Sequence, residues 1–423
     1  MTSGSHSEQA DDPLNSTVVS HSHVPHSAAF SFVCLGVGGG PFENDSSCYV
    51  MKPADRHWHD GAILVEGGSF LGSLRECLEH PDHAFSDATF PPHLTAEQRT
   101  EVFNSWITQV YISHGHLDHV FGLALASANS RTQRPVYGLP DTLDSILGLF
   151  NGRLWPRLAS YDAEDPMTMY HLRSLELGKP LTATLDVTVT PYPVSHGASR
   201  LTDGVPVFQD VFHMPPPSPL PCAPLDTMST TVSTAFLFRN HRVDRDVLFL
   251  GDVEPDEVGH SRANAELWRK VAGRMAQGKL NAVFLECSYS SEQPNHLLFG
   301  HLTPKHLYAE LKTLARLVAQ ERFGNEIKTK NALRGLKCVV IHIKGMVLPA
   351  DARFSCFRLI QRQNESKLIL PVTLAQIVEK ELQALEAEHQ LGVEFIIARR
   401  GQRIGAYGSY LPRMLIGSVY HIN

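Results

Sequence analysis

The sequence predicts an α/β fold. Short apolar runs that are typical of strands alternate along the chain with longer segments of helical character, which is the order expected for α/β proteins. Several apolar runs end in glycine, as residues 30–35 do before the glycine-rich stretch at 36–40, and this pattern indicates a strand entering a tight turn. With 423 residues, 43% of them hydrophobic and 19% charged, the chain is long enough to bury a large core.

Apolar runs predict the strands, and capping residues help to predict the helices. Thr95 is a predicted N-cap, and Pro304 suits a first helical turn. In chain order, the predicted strands are 30–35, 62–65, 110–112, 187–190, 233–238, 247–250, 282–285 and 338–343. The predicted helices are 95–109, 267–276, 304–321 and 374–389.

We expect one main domain over residues 29–404. Residues 1–28 are rich in Ser, His, Asp and Pro and poor in large apolar residues, which predicts a disordered tail. Residues 203–230 are a Pro-rich polar insertion and a predicted surface loop. Residues 405–423 form a predicted C-terminal extension without an assigned role.

Composition and charge indicate which partners and which cellular location to expect for the protein. The formal net charge is −7 without an obvious basic stripe, so we expect a small anionic substrate rather than a long nucleic acid. The seven cysteines are scattered, without a CxxC pair, which predicts reduced thiols and a cytoplasmic protein. Neither a run of about 18 apolar residues nor a secretion signal is evident, so no membrane association is expected.

A cluster of metal-ligand residues follows the predicted strand at 110–112. The string Ser113-His-Gly-His-Leu-Asp-His119 places three His and one Asp within six residues, and these side chains suit Zn²⁺, Mn²⁺ or Fe²⁺. In an extended strand, His114 and His116 point to the same side, and a turn is expected to bring Asp118 and His119 back toward them. The cluster can therefore hold two adjacent metal ions, whereas a surface loop rich in histidine by chance does not explain the demanding spacing.

This His-x-His-x-Asp-His spacing resembles the metal motif of the metallo-β-lactamase superfamily. The longer string from His114 to Ala128 resembles the class II cyclic nucleotide phosphodiesterases, and weaker similarity at Leu35–Pro41 and Leu391–Ile404 extends the resemblance over residues 30–404. The resemblance implies an αββα sandwich, with two mixed β-sheets packed face to face, helices outside and metals at one edge.

The superfamily pattern implies three further ligands at later strand ends. His196 follows Pro193-Val-Ser, Asp252 follows Phe249-Leu-Gly, and His342 ends the run that begins at Cys338. Taken singly, a strand-end His is commonly a packing residue and a Gly-Asp pair is commonly a turn. In the implied arrangement, one metal takes His114, His116 and His196, the other takes Asp118, His119 and His342, and Asp252 lies between them with a bridging water or hydroxide.

His301 precedes the predicted helix at 304–321, within a Gly-His-Leu-Thr string. A similar motif in the phosphodiesterase branch of the superfamily implies that His301 is a general acid that protonates the leaving oxygen, acting together with Asp118. Two alternatives stay open: a local hydrogen bond at the helix start, or a metal ligand in place of His342. Glu286 is a candidate for orienting a ligand histidine, and Lys344 is a candidate for contacting a phosphate.

The resemblance implies hydrolysis of adenosine 3′,5′-cyclic phosphate, and potentially of the guanosine analogue, to the nucleoside 5′-phosphate. The nucleophile would be a hydroxide held by two divalent metal ions, Zn²⁺ first and Mn²⁺ or Fe²⁺ as alternatives. A tRNA 3′-end endonuclease is an alternative, but residues 203–230 contain neither Lys nor Arg. A non-catalytic binding protein is a further alternative, although all seven ligand positions are filled. A homodimer is a candidate assembly.

Overall fold

The structure is a computed structural model that describes residues 28–80, 84–130, 133–202, 205–207, 228–345 and 372–407. The first described residue, Ala28, already begins a strand. The rest of the predicted tail, at 1–27, therefore lies outside the described residues, as do most of the Pro-rich insertion and residues 408–423.

The first sheet combines the N-terminal part of the chain with its last described strand. Its strands in the described residues are β1 (Ala28–Gly36), β2 (Cys48–Pro53), β3 (Ala62–Val65), β4 (Ile107–Tyr111), β5 (Arg134–Gly138), β6 (Ala159–Ser160), β7 (Tyr170–Ser174) and β16 (Arg403–Tyr407). They lie in the order β16-β1-β2-β3-β4-β5-β7-β6. Strand β1 is antiparallel to both neighbours, whereas β3, β4 and β5 run parallel.

The second sheet comes from the later part of the chain. Its strands in the described residues are β8 (Leu181–Thr184), β9 (Val187–Thr202), β10 (Val205–Val207), β11 (Met228–Asn240), β12 (Arg245–Leu250), β13 (Leu280–Glu286), β14 (Lys337–Ile341) and β15 (Glu394–Ile397). Their order is β10-β9-β11-β12-β13-β14-β15, with β8 paired to β9. Strands β12 to β15 run parallel, so their carboxyl ends meet at one edge.

Helices cover the outer face of each sheet. In the part of the chain that the structure describes, they are α1 (Leu71–Glu79), α2 (Ala96–Trp106), α3 (Leu117–Ala126), α4 (Pro140–Leu149), α5 (Ala263–Ala276), α6 (Pro304–Phe323) and α7 (Leu374–His389). The first four pack on the first sheet and the last three on the second, which gives two helix–sheet cores. A third core lies between the sheets, where the Phe32 and Phe284 rings are 4.5 Å apart. The predicted αββα sandwich is confirmed.

Several predicted elements differ from the structure at their boundaries. The helix predicted at 95–109 ends at Trp106, because Ile107–Tyr111 pairs as β4 with β3 instead. The Pro-rich loop predicted at 203–230 is narrower, since Val205–Val207 pairs with β9 and β11 begins at Met228. Strand β16 runs to Tyr407, three residues past the predicted boundary at 404, because its backbone pairs with β1.

Candidate metal centre

The His-rich motif lies on a loop and a helix start, which corrects the strand geometry predicted for it. Strand β4 ends at Tyr111. His116 is the N-cap of α3, and Asp118 and His119 lie in the first turn of that helix. His114 and His116 therefore do not face one side through strand alternation. The chain bends at Ser113 before them, and their ring centroids are 4.4 Å apart.

Glycines hold the helix that carries Asp118 and His119 against the rest of the site. The Gly67 amide donates to the carbonyl oxygen of His119 at 2.7 Å, and the Gly122 amide donates to Gly68 at 2.7 Å. A Cβ on Gly68 would lie 2.0 Å from the carbonyl oxygen of Asp118. Only glycine allows so close an approach of two backbones, so this glycine pair positions the ligand helix rather than cradling a phosphate.

The three later residues reach the motif from three strands of the second sheet. His196 lies within β9, Asp252 follows β12, and His342 follows β14. The residue His342 adopts a left-handed backbone, with φ of 59°, and its amide donates to Val37 at 2.6 Å. Strained backbone of this kind is concentrated at functional sites.

His114, His116 and His196 converge on one side of Asp252. His116 Nδ1 lies 2.9 Å from His114 Nε2 and 3.1 Å from His196 Nε2. Both Nε2 atoms lie 3.7 Å from Asp252 Oδ2. Ligands about 2.1 Å from a tetrahedral ion lie about 3.4 Å from one another, so the donor atoms are spaced as one metal ion requires.

Asp118, His119 and His342 converge on the other side of Asp252. His342 Nε2 lies 3.1 Å from Asp118 Oδ2, 3.2 Å from Asp252 Oδ2 and 3.3 Å from His119 Nε2. His119 Nε2 lies 3.3 Å from Asp252 Oδ1. Asp252 belongs to both groups of potential ligands. The structure thus brings all seven predicted ligand residues together around one shared carboxylate.

Buried polar groups fix the orientation of the imidazole rings. Ser113 Oγ lies 3.0 Å from His114 Nδ1, and Ser288 Oγ lies 3.0 Å from His342 Nδ1. His196 Nδ1 donates to the Gly300 carbonyl oxygen at 2.8 Å. Contacts of this kind select which ring nitrogen remains available to a metal.

The carboxylate of Glu66 lies next to the imidazole of His119. Glu66 Oε2 lies 3.4 Å from His119 Nδ1, and Glu66 is fully buried with a left-handed backbone, at φ of 61°. Sequence patterns do not reveal Glu66, Ser113 or Ser288 as partners of the histidines, although Glu66 directly precedes the Gly67-Gly68 turn at the end of β3.

Electrostatics hold most of the imidazoles in the form that binds metal. Burial lowers the pKa of His114 and His196 well below the usual range, and neighbouring imidazoles lower it further. Burial also lowers the pKa of His116. A neutral imidazole offers the lone pair that a metal ion needs.

The carboxylate side of the site favours a positive charge. Burial acts to raise the pKa of Asp252, but His342 and His119 hold it well below its usual range. Burial acts to lower the pKa of His119, but Asp252, Asp118 and Glu66 raise it well above its usual value. A buried position where carboxylates attract a proton this strongly is also suited to a cation, so the residues fit a divalent metal pair.

His301 lies beside the seven residues and contacts Glu286. His301 Nδ1 lies 2.8 Å from Glu286 Oε1, and the same oxygen accepts from the Val253 amide at 2.9 Å. Ser288 Oγ donates to Glu286 Oε2 at 2.7 Å. The fully buried Glu286 thus connects His301 to Ser288, which in turn contacts His342.

Three aromatic side chains, those of Tyr289, Phe299 and Tyr137, differ in their position relative to the site. The ring of Tyr289 lies 6.1 Å from that of His301. Phe299 is half exposed and adjoins Gly300, which packs on His196. Tyr137 instead stacks on Tyr111 in the core between the sheets, with ring centroids 5.0 Å apart.

Comparisons with known proteins agree with this geometry. A family model described as "cAMP phosphodiesterases class-II" matches residues 81–401. A 3′,5′-cyclic-nucleotide phosphodiesterase of Schizosaccharomyces pombe is 30% identical over 390 residues, covering 88% of this chain and 92% of that protein. A protein of the same name from Aliivibrio fischeri is 26% identical over 382 residues, covering 89% and 93%.

A solved structure shares the fold. The crystal structure of unliganded yeast PDE1 matches with a TM-score of 0.66 at 23% identity, covering 89% of this chain and 99% of that chain. Separately, none of the helices among the described residues has the length and apolarity needed to cross a membrane. The family match extends over most of the chain and includes the complete His-rich motif. The chain therefore belongs to the class II cAMP phosphodiesterases.

Proposed function

We propose that the protein hydrolyses 3′,5′-cyclic nucleotides, cyclic AMP first among them, to nucleoside 5′-phosphates with the help of two divalent metal ions. The observation that carries this proposal is the pair of ligand groups that share Asp252. Membership in the class II cAMP phosphodiesterases and the names of the relatives support the choice of substrate.

The proposed assignment follows the two groups. His114, His116 and His196 hold one ion, Asp118, His119 and His342 hold the other, and Asp252 lies between them. When bound, such a pair lowers the pKa of water and neutralises charge on the phosphate. We propose zinc, because histidine nitrogen and carboxylate oxygen are its usual non-thiolate ligands.

The residues of the chain supply positioning and a proton. Because Nδ1 of His301 is engaged by Glu286, its Nε2 is the nitrogen available to a substrate. We propose that Nε2 delivers a proton to the leaving 3′ oxygen, while Glu286 holds the ring in place. Ser288 keeps His342 oriented through its 3.0 Å contact with Nδ1, which leaves Nε2, 3.1 Å from Asp118, for the ion that these two residues would share.

We also propose a cytoplasmic location. The described cysteines, Cys34, Cys48, Cys77, Cys287 and Cys338, are free thiols, which fits a reducing compartment. Imaging of the full-length protein with a fluorescent tag would test this proposal, and accumulation in a secretory compartment would contradict it.

The function is tested by assaying zinc-loaded protein with cyclic AMP, cyclic GMP and a tRNA precursor. We expect turnover of the cyclic nucleotides alone, and we expect His116→Ala and Asp118→Ala to abolish it while the circular dichroism spectrum stays unchanged. Cleavage of the tRNA precursor, or full activity in either variant, would contradict the proposal.

A further inference from the structure

Lys344 lies at the rim of the candidate metal centre, two residues beyond His342. Its ammonium donates to the carbonyl oxygen of Gly39 at 3.0 Å. Gly39 lies directly on His342, since a Cβ at this position would be 2.4 Å from the imidazole. The carbonyl thus anchors the ammonium next to a proposed metal ligand.

The ring of Tyr289 neighbours both the same ammonium and His301. Lys344 Nζ lies 6.0 Å from the centre of the Tyr289 ring, and that ring lies 6.1 Å from the ring of His301. His301 in turn stacks on His342 at 5.1 Å. The ammonium therefore shares one neighbour, Tyr289, with the proposed proton donor, and another, Gly39, with the proposed ligand His342.

The ammonium also has unused capacity for hydrogen bonds. In the described part of the chain, Lys344 forms no ion pair with a carboxylate; its contacts there are the Gly39 carbonyl and the Tyr289 ring. An ammonium group has three donors, so two remain after the bond to Gly39. A half-buried cation of this kind is suited to a second, anionic partner.

We propose that Lys344 binds a non-bridging oxygen of the substrate phosphate and stabilises the charge that grows there during attack. This inference rests on the proposed function. In this role Lys344 acts only as a hydrogen-bond donor and forms no covalent bond. Because the charge on these oxygens is larger in the transition state than in the substrate, the contact accelerates the reaction as well as binding the substrate.

The experiment uses three substitutions that separate charge from hydrogen bonding. Lys344→Arg keeps the charge, Lys344→Gln keeps a donor for Gly39 without charge, and Lys344→Met keeps neither. Lys305→Met is the matched control, because it removes an exposed lysine four residues after His301. Each protein is loaded with zinc, its metal content is measured, and kcat and KM for cyclic AMP are determined together with the Kd for inorganic phosphate.

We expect Lys344→Gln and Lys344→Met to lower kcat/KM about 100-fold, the scale for losing one stabilising donor, and to weaken the binding of phosphate. We expect Arg to retain most of the activity, Lys305→Met to match the wild type, and metal content to be unchanged throughout. The proposal would be overturned if Lys344→Gln had wild-type kinetics and phosphate affinity, or if zinc were lost in parallel with activity. Lys344 would then have only a structural role, through its hydrogen bond to Gly39.

The phosphate measurement separates this inference from the proposed function. If the wild type does not hydrolyse cyclic AMP but Gln and Met still weaken phosphate binding, the assignment of Lys344 stands and the proposed function fails. If the wild type is active and the variants bind phosphate and turn over cyclic AMP normally, the proposed function stands and Lys344 has no such role.

Discussion

At the scale of single residues, Gly39 illustrates how a missing side chain shapes the candidate metal centre. A Cβ on Gly39 would lie 2.4 Å from the ring of His342, closer than van der Waals contact allows. We expect Gly39→Ala to displace this imidazole and lower zinc affinity and activity about 10- to 100-fold, the range seen when support of a ligand is lost. Competitive chelator titration and cyclic AMP turnover measure both quantities.

The matched control is Gly72→Ala in α1, where an added Cβ has no neighbour within 4 Å. It makes the same chemical change away from the site, so wild-type metal affinity and turnover are expected. If Gly39→Ala behaved like this control, the close packing of Gly39 on His342 would not be needed for zinc affinity or turnover.

Residue patterns could predict the proposed ligands but not the groups that orient them. The spacing from His114 to His119 is local, so the sequence displays it directly. Glu66 and Ser288 lie 53 and 54 positions away from His119 and His342, the residues they contact. Contacts between such distant positions depend on which strands pair, since Glu66 follows β3, the neighbour of β4, and Ser288 follows β13, the neighbour of β14. The left-handed backbone of His342 depends on tertiary contacts as well, since non-glycine residues seldom adopt it unaided.

At the scale of elements, β16 is the last described strand and forms one edge of the first sheet. Its residues pair with β1 through Val33–Arg403, Phe32–Ile404, Ser31–Gly405 and Ala28–Tyr407. A chain that ends after Ile404, at the boundary predicted from sequence, loses the last part of this ladder. We expect it to be about 1–2 kcal/mol less stable, at roughly 1 kcal/mol per lost hydrogen bond.

The comparison is a chain that ends after Tyr407, which keeps the whole described ladder. Thermal unfolding of the two truncated proteins measures the difference, and we expect the chain that ends after Tyr407 to have the higher Tm. Equal Tm values for the two truncated proteins would show that residues 405–407 contribute nothing to stability.

Elements were predictable where apolar runs and capping residues were strong. Strand β3 and helix α7 match their predicted bounds, and Thr95 caps α2 as predicted, accepting from the Gln98 amide. Helix α3 is not evident from the sequence, because its first turn carries the proposed ligands Asp118 and His119, and such residues resemble a loop in composition. Its position relies on backbone contacts with the Gly67-Gly68 turn, which local propensity does not reveal.

At the scale of the whole molecule, Asp87 connects the two ends of the folded chain. Its carboxylate accepts from Arg403 of β16 at 2.7 and 2.8 Å and from the indole of Trp58 at 2.7 Å, and it lies 3.0 Å from the buried ammonium of Lys52 in β2. We expect Asp87→Asn to destabilise the protein by about 2 kcal/mol at neutral pH, the scale of hydrogen bonds to a charged group. Urea unfolding measures this loss.

The contribution of Asp87 also depends on pH. Burial acts to raise the pKa of this carboxyl, but Arg403 and Lys52 lower it from 3.8 to about 2. Because the folded-state pKa lies below the unfolded one, the stabilisation is complete above about pH 4 and is lost as pH falls toward about 2. We expect the stability difference between wild type and Asp87→Asn, measured with chelator present, to be constant from pH 7 to about 4.5 and to shrink below it. A constant difference down to pH 3 would contradict this.

In the proposed metal centre, side chains from four separate segments hold two metal ions around Asp252. Anomalous scattering from a crystal of the zinc-loaded protein would locate these ions. We predict two peaks roughly 3.5–4 Å apart, as in other two-metal sites. One peak would be bounded by His114, His116 and His196, the other by Asp118, His119 and His342, with the Asp252 carboxylate between them. A single peak, or metal bound away from Asp252, would contradict the account.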